Sequence, residues 1–330
     1  MNNNAEIIIQ NREENNNNNI NNNNNSLIST EKEKKNSKNI RNTELDIDLT
    51  QRIGNNSLLC NKKIIVGNKY YHIIISILLI TFPTLIFLWT MFEISSTSSK
   101  CISSISIIIY IVIIILLFLG GCYEPGIIER NNEFAFYENR KCSIKINNKG
   151  HMISLNYCFT CFHFRPPRTS HCAECDNCVE KFDHHCFWLG NCVGRRNYRF
   201  FYLLLLLNTF LSVFEFFSGI FFIVFCEERK VLIVLFLSIV VFYNLMFCVF
   251  FLVKLLVVHS LLIVKGMSFY EYIKMKFKNG IEKNPYNKGF CRNFKELFCS
   301  KIGMSKIDMS REREDGKKIY DLNEDSNHCD

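Results

Sequence analysis

Residues 158–192 read CFTCFHFRPPRTSHCAECDNCVEKFDHHCFWLGNC. These thirty-five residues hold seven cysteines and four histidines. Two tetrahedral zinc sites take eight Cys or His ligands, so three of the eleven candidates are left over. Cys158 and Cys161 form one Cys-x-x-Cys unit, and Cys172, Cys175 and Cys178 form two overlapping ones. This spacing lets two thiolates hold one metal from a tight turn. His171, His185 and Cys192 can complete two sites, and spacing alone does not assign each ligand to its site. A mixed sulfur and nitrogen set favours zinc over harder ions, and histidine is an unusual iron–sulfur ligand. The run has few large aliphatic residues and little secondary-structure signal. Metal is therefore expected to supply its folding energy through closed, structural sites.

The leftover residues are His163, His184 and Cys186. His163 sits in a Phe-His-Phe run and reads as an ordinary, partly exposed histidine. Cys186 follows Asp183, His184 and His185. A thiolate is strongly nucleophilic, and an adjacent imidazole can take its proton. His184 is the candidate base, and Asp183 is placed to orient it as the third member of a triad. On these residues alone, Cys186 reads either as a nucleophile or as an alternative ligand.

Outward from the cysteine-rich run the chain turns apolar. Four stretches of about 20 residues or more follow one another: Tyr71 to Phe92, Ile102 to Cys122, Phe200 to Cys226 and Val231 to Val258. Each is long enough for a helix to cross a hydrocarbon core of roughly 30 Å. Pro83 is tolerable within such a helix, and Lys254 can snorkel near the end of the last. Buried core helices of a soluble protein do not fit, because these stretches lack a polar face. Glu215, Asn208 and Asn244 fall inside the spans and are expected to face the bundle.

The 330 residues carry a formal net charge of +8, segregated from the apolar stretches. The long middle segment includes Arg130, Arg140, Lys141, Lys145, Lys149, Arg165, Arg168, Lys181, Arg195, Arg196 and Arg199. By the positive-inside rule, this segment and both termini are cytosolic. Sixteen cysteines without an opening secretory signal then read as metal-binding or free thiols, not disulfides. Residues 1–68 are rich in Asn, Lys and Glu and read as disordered.

The run from Cys158 to Phe200 resembles the cysteine-rich domain of the DHHC protein S-acyltransferases (palmitoyltransferases). The residues that carry the resemblance are Cys158, Cys161, Arg165, Pro166, Arg168, His171, Cys172, Cys175, Cys178, Asp183, His184, His185, Cys186, Trp188, Asn191, Cys192, Val193, Gly194 and Asn197. Phe187 stands where many members have proline. Glu124, Pro125 and Gly126 stand where the family has Asp-Pro-Gly. Ser268 to Glu271 stand where it has Thr-Thr-x-Glu, with the second hydroxyl missing. Asn284, Pro285, Tyr286, Gly289, Asn293 and Phe298 resemble the family's C-terminal motif. The resemblance covers roughly residues 70 to 300.

The resemblance implies a fold class: an all-α membrane protein with four transmembrane helices. A cytosolic zinc-binding cysteine-rich domain would lie between helices 2 and 3. The expected segments are a tail (1–68), helices 1 and 2 (69–122), the cysteine-rich domain (123–199), helices 3 and 4 (200–260) and a C-terminal region (261–330). One zinc would be held by Cys158, Cys161, His171 and Cys178, and a second by Cys172, Cys175, His185 and Cys192. Cys186 would accept a long-chain acyl group from acyl-CoA such as palmitoyl-CoA, with His184 as base and Asp183 as orienting acid. The acyl group would then pass to cysteines of protein substrates at the bilayer. Arg195, Arg196 and Arg199 could meet the CoA phosphates. No nucleic-acid partner is expected, and the membrane is expected to be Golgi or endoplasmic reticulum. Cys60, Cys291 and Cys299 lie near the membrane and could carry acyl groups themselves. The alternative is a non-catalytic zinc-binding membrane adaptor. A RING-type ligase would use its cysteines only for metal.

Overall fold

The computed structural model describes residues 53–60, 64–130, 143–148, 151–225, 230–247, 251–274, 284–303 and 305–307. Most of the predicted N-terminal tail, Arg140, Lys141 and Lys149, and the last residues of the C-terminal region lie outside these.

Helices dominate, and the apolar stretches form the long ones. They are α1 (His72–Ile94), α2 (Thr97–Cys122), α3 (Tyr198–Phe225), α4 (Val231–Phe247) and α5 (Val253–Lys265). Helices α1, α2 and α3 are each long and apolar enough to cross a membrane, whereas α4 is apolar but shorter, at 17 residues. Pro83 lies inside α1. Helix α2 begins five residues before the apolar stretch predicted from Ile102, because Ser96 caps it: the Ser99 N–H donates to Ser96 Oγ at 3.1 Å. Ile74, Leu78, Phe82 and Leu85 of α1 and Ile108, Ile111 and Ile115 of α2 face outward. A helix that is apolar on both its inner and outer faces belongs in a bilayer. Inside the bundle, Asn244 donates to Glu215 at 3.1 Å, and both are buried as expected. Asn208 instead lines a cavity.

The cysteine-rich segment departs from an all-α reading. It folds into short antiparallel strands: β3 (Ile127–Ile128), β4 (Ser143–Asn148), β5 (His151–Cys158), β6 (His163–Phe164), β7 (Ser170–Cys172), β8 (Asn177–Val179), β9 (His184–Cys186) and β10 (Asn191–Val193). They pair in the orders β3-β8-β7, β4-β5-β6 and β10-β9. The cause is local. Each Cys-x-x-Cys turn needs two short arms, and pairing those arms satisfies their backbone groups. Strand β7 pairs with β8 across the turn that holds Cys175, placing His171 opposite Cys178. Strand β9 pairs with β10, placing His185 opposite Cys192.

A second departure lies before the first helix. Within the segment expected to be disordered, β1 (Ser57–Leu59) pairs with β2 (Ile64–Val66). Ile53, Ile65 and Val66 are buried. Ile53 and Ile65 join Cys172, Cys175, Val179 and Cys192 in one core, which the C-terminal Ile307 also enters. Composition of the Asn-rich tail masked this small apolar set.

Two short helices complete the described chain: α6 (Phe269–Ile273) and α7 (Phe290–Cys299). Helix α6 starts with a capping box. Ser268 Oγ accepts from the Glu271 N–H, and Glu271 accepts from the Ser268 N–H.

Candidate active site and metal sites

The β-knuckles gather the ligands into two quartets. Cys158, Cys161, His171 and Cys178 form one; Cys172, Cys175, His185 and Cys192 form the other. In the first, His171 Nδ1 lies 3.6, 3.5 and 4.0 Å from the sulfurs of Cys158, Cys161 and Cys178. In the second, His185 Nδ1 lies 3.7, 3.4 and 3.7 Å from those of Cys172, Cys175 and Cys192. A tetrahedral zinc with ordinary bond lengths needs sulfur–nitrogen separations of about 3.5 Å. The donor sets therefore fit such an ion, and each quartet could hold one. Each histidine turns its other nitrogen to a carboxylate: His171 Nε2 is 3.5 Å from Asp176, and His185 Nε2 is 3.6 Å from Glu174. Such partners fix the tautomer and orientation of a ligating ring.

Cys186 belongs to neither quartet. It ends β9 and is 5 % exposed. His184 and Cys186 stand two apart on β9 and so share one face of the strand, and His184 Nδ1 donates to Asp183 Oδ2 at 2.7 Å. The second oxygen of Asp183 accepts from the Phe269 N–H at 2.8 Å. Burial pulls the His184 imidazole down, but its interactions with Asp183 and Cys186 outweigh that and push it up to about 10. Burial pushes the Asp183 carboxyl up, yet the His184 contact holds it below the usual carboxylate range. The structure thus places an imidazole bonded to a carboxylate on the same short strand as the Cys186 thiol.

Residues with no motif signal complete the surroundings. His259 of α5 is buried, and its Nδ1 lies 3.1 Å from the Tyr198 hydroxyl. Its ring centroid is 5.9 Å from that of His184, while Phe201 stacks edge-on to both histidines at 5.0 Å. Only the tertiary fold brings α5 to this place. Arg168 makes a two-pronged pair with Glu271 at 2.8 and 2.6 Å and lies over the Tyr286 ring. Arg168 and Glu271 therefore tie the module to the segment after α5. Phe269, at the position of the missing hydroxyl, contributes its backbone N–H to Asp183 instead.

Other sequence-predicted residues fall elsewhere. Arg196 is not free to meet a ligand. It is mostly buried in an ion pair with Glu124, and it donates to Gly303 O at 2.9 Å. Arg195 is paired with Glu180 and stays exposed, while Arg199, partly buried, donates to Ser300 O. Glu124 also accepts from the Gly126 and Ile127 N–H groups, which shapes the turn after α2. His163 is buried, not partly exposed. The β5–β6 turn folds it inward, where Nδ1 donates to Phe164 O at 3.1 Å. Phe187 still forms a turn in the usual place of proline, with Gly190 N–H donating to its carbonyl, and its ring packs on His72 at 4.1 Å. Of the C-terminal motif, Asn293 donates to Val264 O and Asn284 to Lys265 O, docking that segment on α5.

An apolar cavity opens beside Cys186. Ser76, Leu79, Leu117, Trp188, Leu205 and Phe251 are among the residues that line it, from α1, α2, α3 and the segment before α5. A second, more polar cavity lies across Asp183, with Arg168, Lys181, Tyr198, Tyr286 and Glu296 in its wall.

Fold and site together define a helical membrane protein whose double Cys/His knuckle carries a spare thiol at the mouth of an apolar chamber. Residues 151–276 match the family model for the DHHC palmitoyltransferase. Similar curated proteins include "Probable protein S-acyltransferase 5" of Arabidopsis thaliana, 31% identical over 76% of this chain and 58% of that protein. "Palmitoyltransferase ZDHHC18" of Rattus norvegicus is 34% identical over 49% of this chain and 46% of that protein. "Probable protein S-acyltransferase 7" of Arabidopsis thaliana is 32% identical over 77% and 63%. The chain spans between about half and two thirds of the length of these relatives. Its residues 151–276 are thus similar to the DHHC palmitoyltransferase family.

Proposed function

We propose that this protein is an S-acyltransferase that moves a long-chain acyl group from acyl-CoA to cysteines of membrane-associated proteins. The observation that carries the reading is the position of Cys186. It belongs to neither quartet, shares a strand face with His184, and lines the apolar cavity. The relatives' names as S-acyltransferases and palmitoyltransferases support it.

In the first step the Cys186 sulfur attacks the thioester carbonyl. The carbon–sulfur bond to CoA breaks, and the departing CoA sulfur takes a proton from the His184 imidazolium. In the second step the sulfur of a substrate cysteine attacks the acyl-enzyme. His184 receives its proton, and Cys186 leaves as thiolate. One thioester replaces another at each step, so the covalent route divides one transfer into two nearly balanced ones. Asp183 holds the His184 ring in register throughout. The acyl chain would lie in the apolar cavity, where each buried methylene contributes roughly 0.8 kcal/mol. Arg195 and Arg199 remain candidates for the CoA phosphates, whereas Arg196 serves the fold.

Cys158, Cys161, His171 and Cys178, and Cys172, Cys175, His185 and Cys192, would each hold a zinc ion. Zinc there supplies folding energy, not chemistry. We read α4 and the start of α5 as a fourth span, residues 231–258. The segments 69–122 and 200–260 are then membrane-bound, with 123–199 and 261–330 on the cytosolic face together with the N-terminus. A Golgi or endoplasmic reticulum membrane suits this reading.

The test is acylation of the purified full-length protein in bilayers by click-labelled palmitoyl-CoA, with zinc counted alongside. Hydroxylamine-labile label on wild type, lost in Cys186→Ser with two zincs retained, is the expected result. An unlabelled wild type would leave the adaptor reading standing. Loss of one zinc in Cys186→Ser would make Cys186 a ligand.

A further inference from the structure

Residues 53–60 and 64–69 grip the cysteine-rich module at two turns. The first grip is on the turn between β7 and β8. The Asn55 N–H donates to Cys175 O at 2.9 Å. Asn177 reaches back to Ile53 O at 3.0 Å, and Asn56 caps the same carbonyl at 2.7 Å. Ile53 is 1 % exposed and packs with Cys172, Cys175 and Cys192, three of the four ligands of the second quartet. Gly54 takes a left-handed φ of +63°, and a Cβ there would stand 2.3 Å from Asp176 O. No other residue fits.

The second grip is on the turn between β9 and β10. A Cβ on Gly67 would stand 2.0 Å from Gly190 O, and one on Gly190 would stand 2.0 Å from Lys69 O. The two backbones therefore touch directly. That turn begins one residue after Cys186. Lys69 adds an ion pair to Glu174 at 3.0 Å, and the same carboxylate oxygen faces His185. This pair is exposed and contributes little by itself. The buried contacts of Ile53 and the two glycines carry the attachment.

We propose that residues 53–60 and 64–69 are a positioning strap for the second metal site and, through β9, for Cys186. The proposal rests on the two-metal reading above. The strap touches neither substrate nor reacting atoms. It fixes the turns on which His185, Cys192 and the nucleophile are hung. Among the described residues, the strap shares no core with the first quartet's cysteines and reaches that site only at the Asp176 backbone, so the first quartet should depend on it little.

The test uses full-length protein in nanodiscs, loaded with zinc and challenged with a chelator and an alkylating agent. Mass spectrometry then reads the labelling rate of each cysteine. Ile53→Ala and Gly54→Val should speed labelling of Cys172, Cys175 and Cys192 roughly 10-fold, the loss expected when the support of a ligand shell is removed. Cys158, Cys161 and Cys178 should keep the wild-type rate. Glu174→Ala should act in the same direction, and Glu174→Gln, which keeps an acceptor for His185, should recover most of the protection. If Gly54→Val does not fold, Ile53→Ala and the Glu174 pair still decide. Equal acceleration in both quartets would mean general destabilisation and would overturn the strap, as would no acceleration. A wild-type protein that holds no zinc would overturn the two-metal reading and the strap with it, and wild type alone reveals that outcome.

Discussion

His171 and His185 face the same chemistry. Each turns Nδ1 to three thiols and Nε2 to a carboxylate, and each carboxylate is held by a cation: Asp176 by Arg130, Glu174 by Lys69. What lies beyond the ligands differs. Around the first quartet the core is small: Ile128 packs against Cys158, Cys161 and Cys178. The second is enclosed by Ile53, Ile65, Ile127, Val179, Phe182 and Ile307, which come from both ends of the described chain. Its strands also carry the proposed nucleophile, because Cys186 pairs with Asn191 one step from the His185–Cys192 pair. Two sites equal in ligand chemistry are thus unequal in consequence. One stabilises the module; the other also places the reactive sulfur.

The largest effect should separate them directly. Cys192→Ala is expected to lose one zinc and all detectable autoacylation, because β10 is the partner of β9. Cys161→Ala is expected to lose the other zinc yet keep a measurable fraction of labelling. Metal analysis beside acyl labelling of the two variants checks this, and equal activities would dissolve the distinction. Next, Asp183→Asn should lower the acylation rate by about 10³-fold through loss of the tautomer and orientation of His184. Both zincs should stay bound, which separates chemistry from metal. The smallest effect belongs to His259→Phe. It keeps the packing but breaks the bond to Tyr198, and misalignment of the neighbouring His184 should cost roughly 10-fold in the acylation rate. A single-turnover rate beside the acyl-CoA affinity reads it; a change in affinity alone would place His259 in substrate binding.

The paired cysteines were legible in the sequence because a Cys-x-x-Cys turn is local, whereas their sorting into two quartets followed from the family resemblance and not from spacing. The long helices were legible because about twenty apolar residues admit few other structures. What escaped depended on contacts between distant segments. His259 lies 75 positions from His184 and sits in an ordinary-looking apolar helix. The Arg168–Glu271 pair joins segments that nothing in their spacing connects. Ile53 and Ile65 lay hidden at the end of an Asn-rich run, where average composition spoke for disorder. Arg196 was misread for the opposite reason. A basic residue beside a site suggests a ligand, but Glu124 lay seventy-two residues away in sequence, ready to pair with it.

Two asparagines join the module to the bundle. Asn191 donates to Gly121 O and Tyr123 O, while its own oxygen accepts from the Cys192 N–H. Asn197 donates to Gly120 O and Cys192 O and accepts from the Gly194 N–H. Both side chains are fully buried. They satisfy the carbonyls at the end of α2 with groups from β10 and from the residue just before α3, so neither partner is complete alone. The knuckles are therefore not a portable domain. Melting should be a single cooperative event in which metal release and loosening of the helix ends coincide, and residues 123–199 produced in isolation would have to hydrate a junction built to be dry.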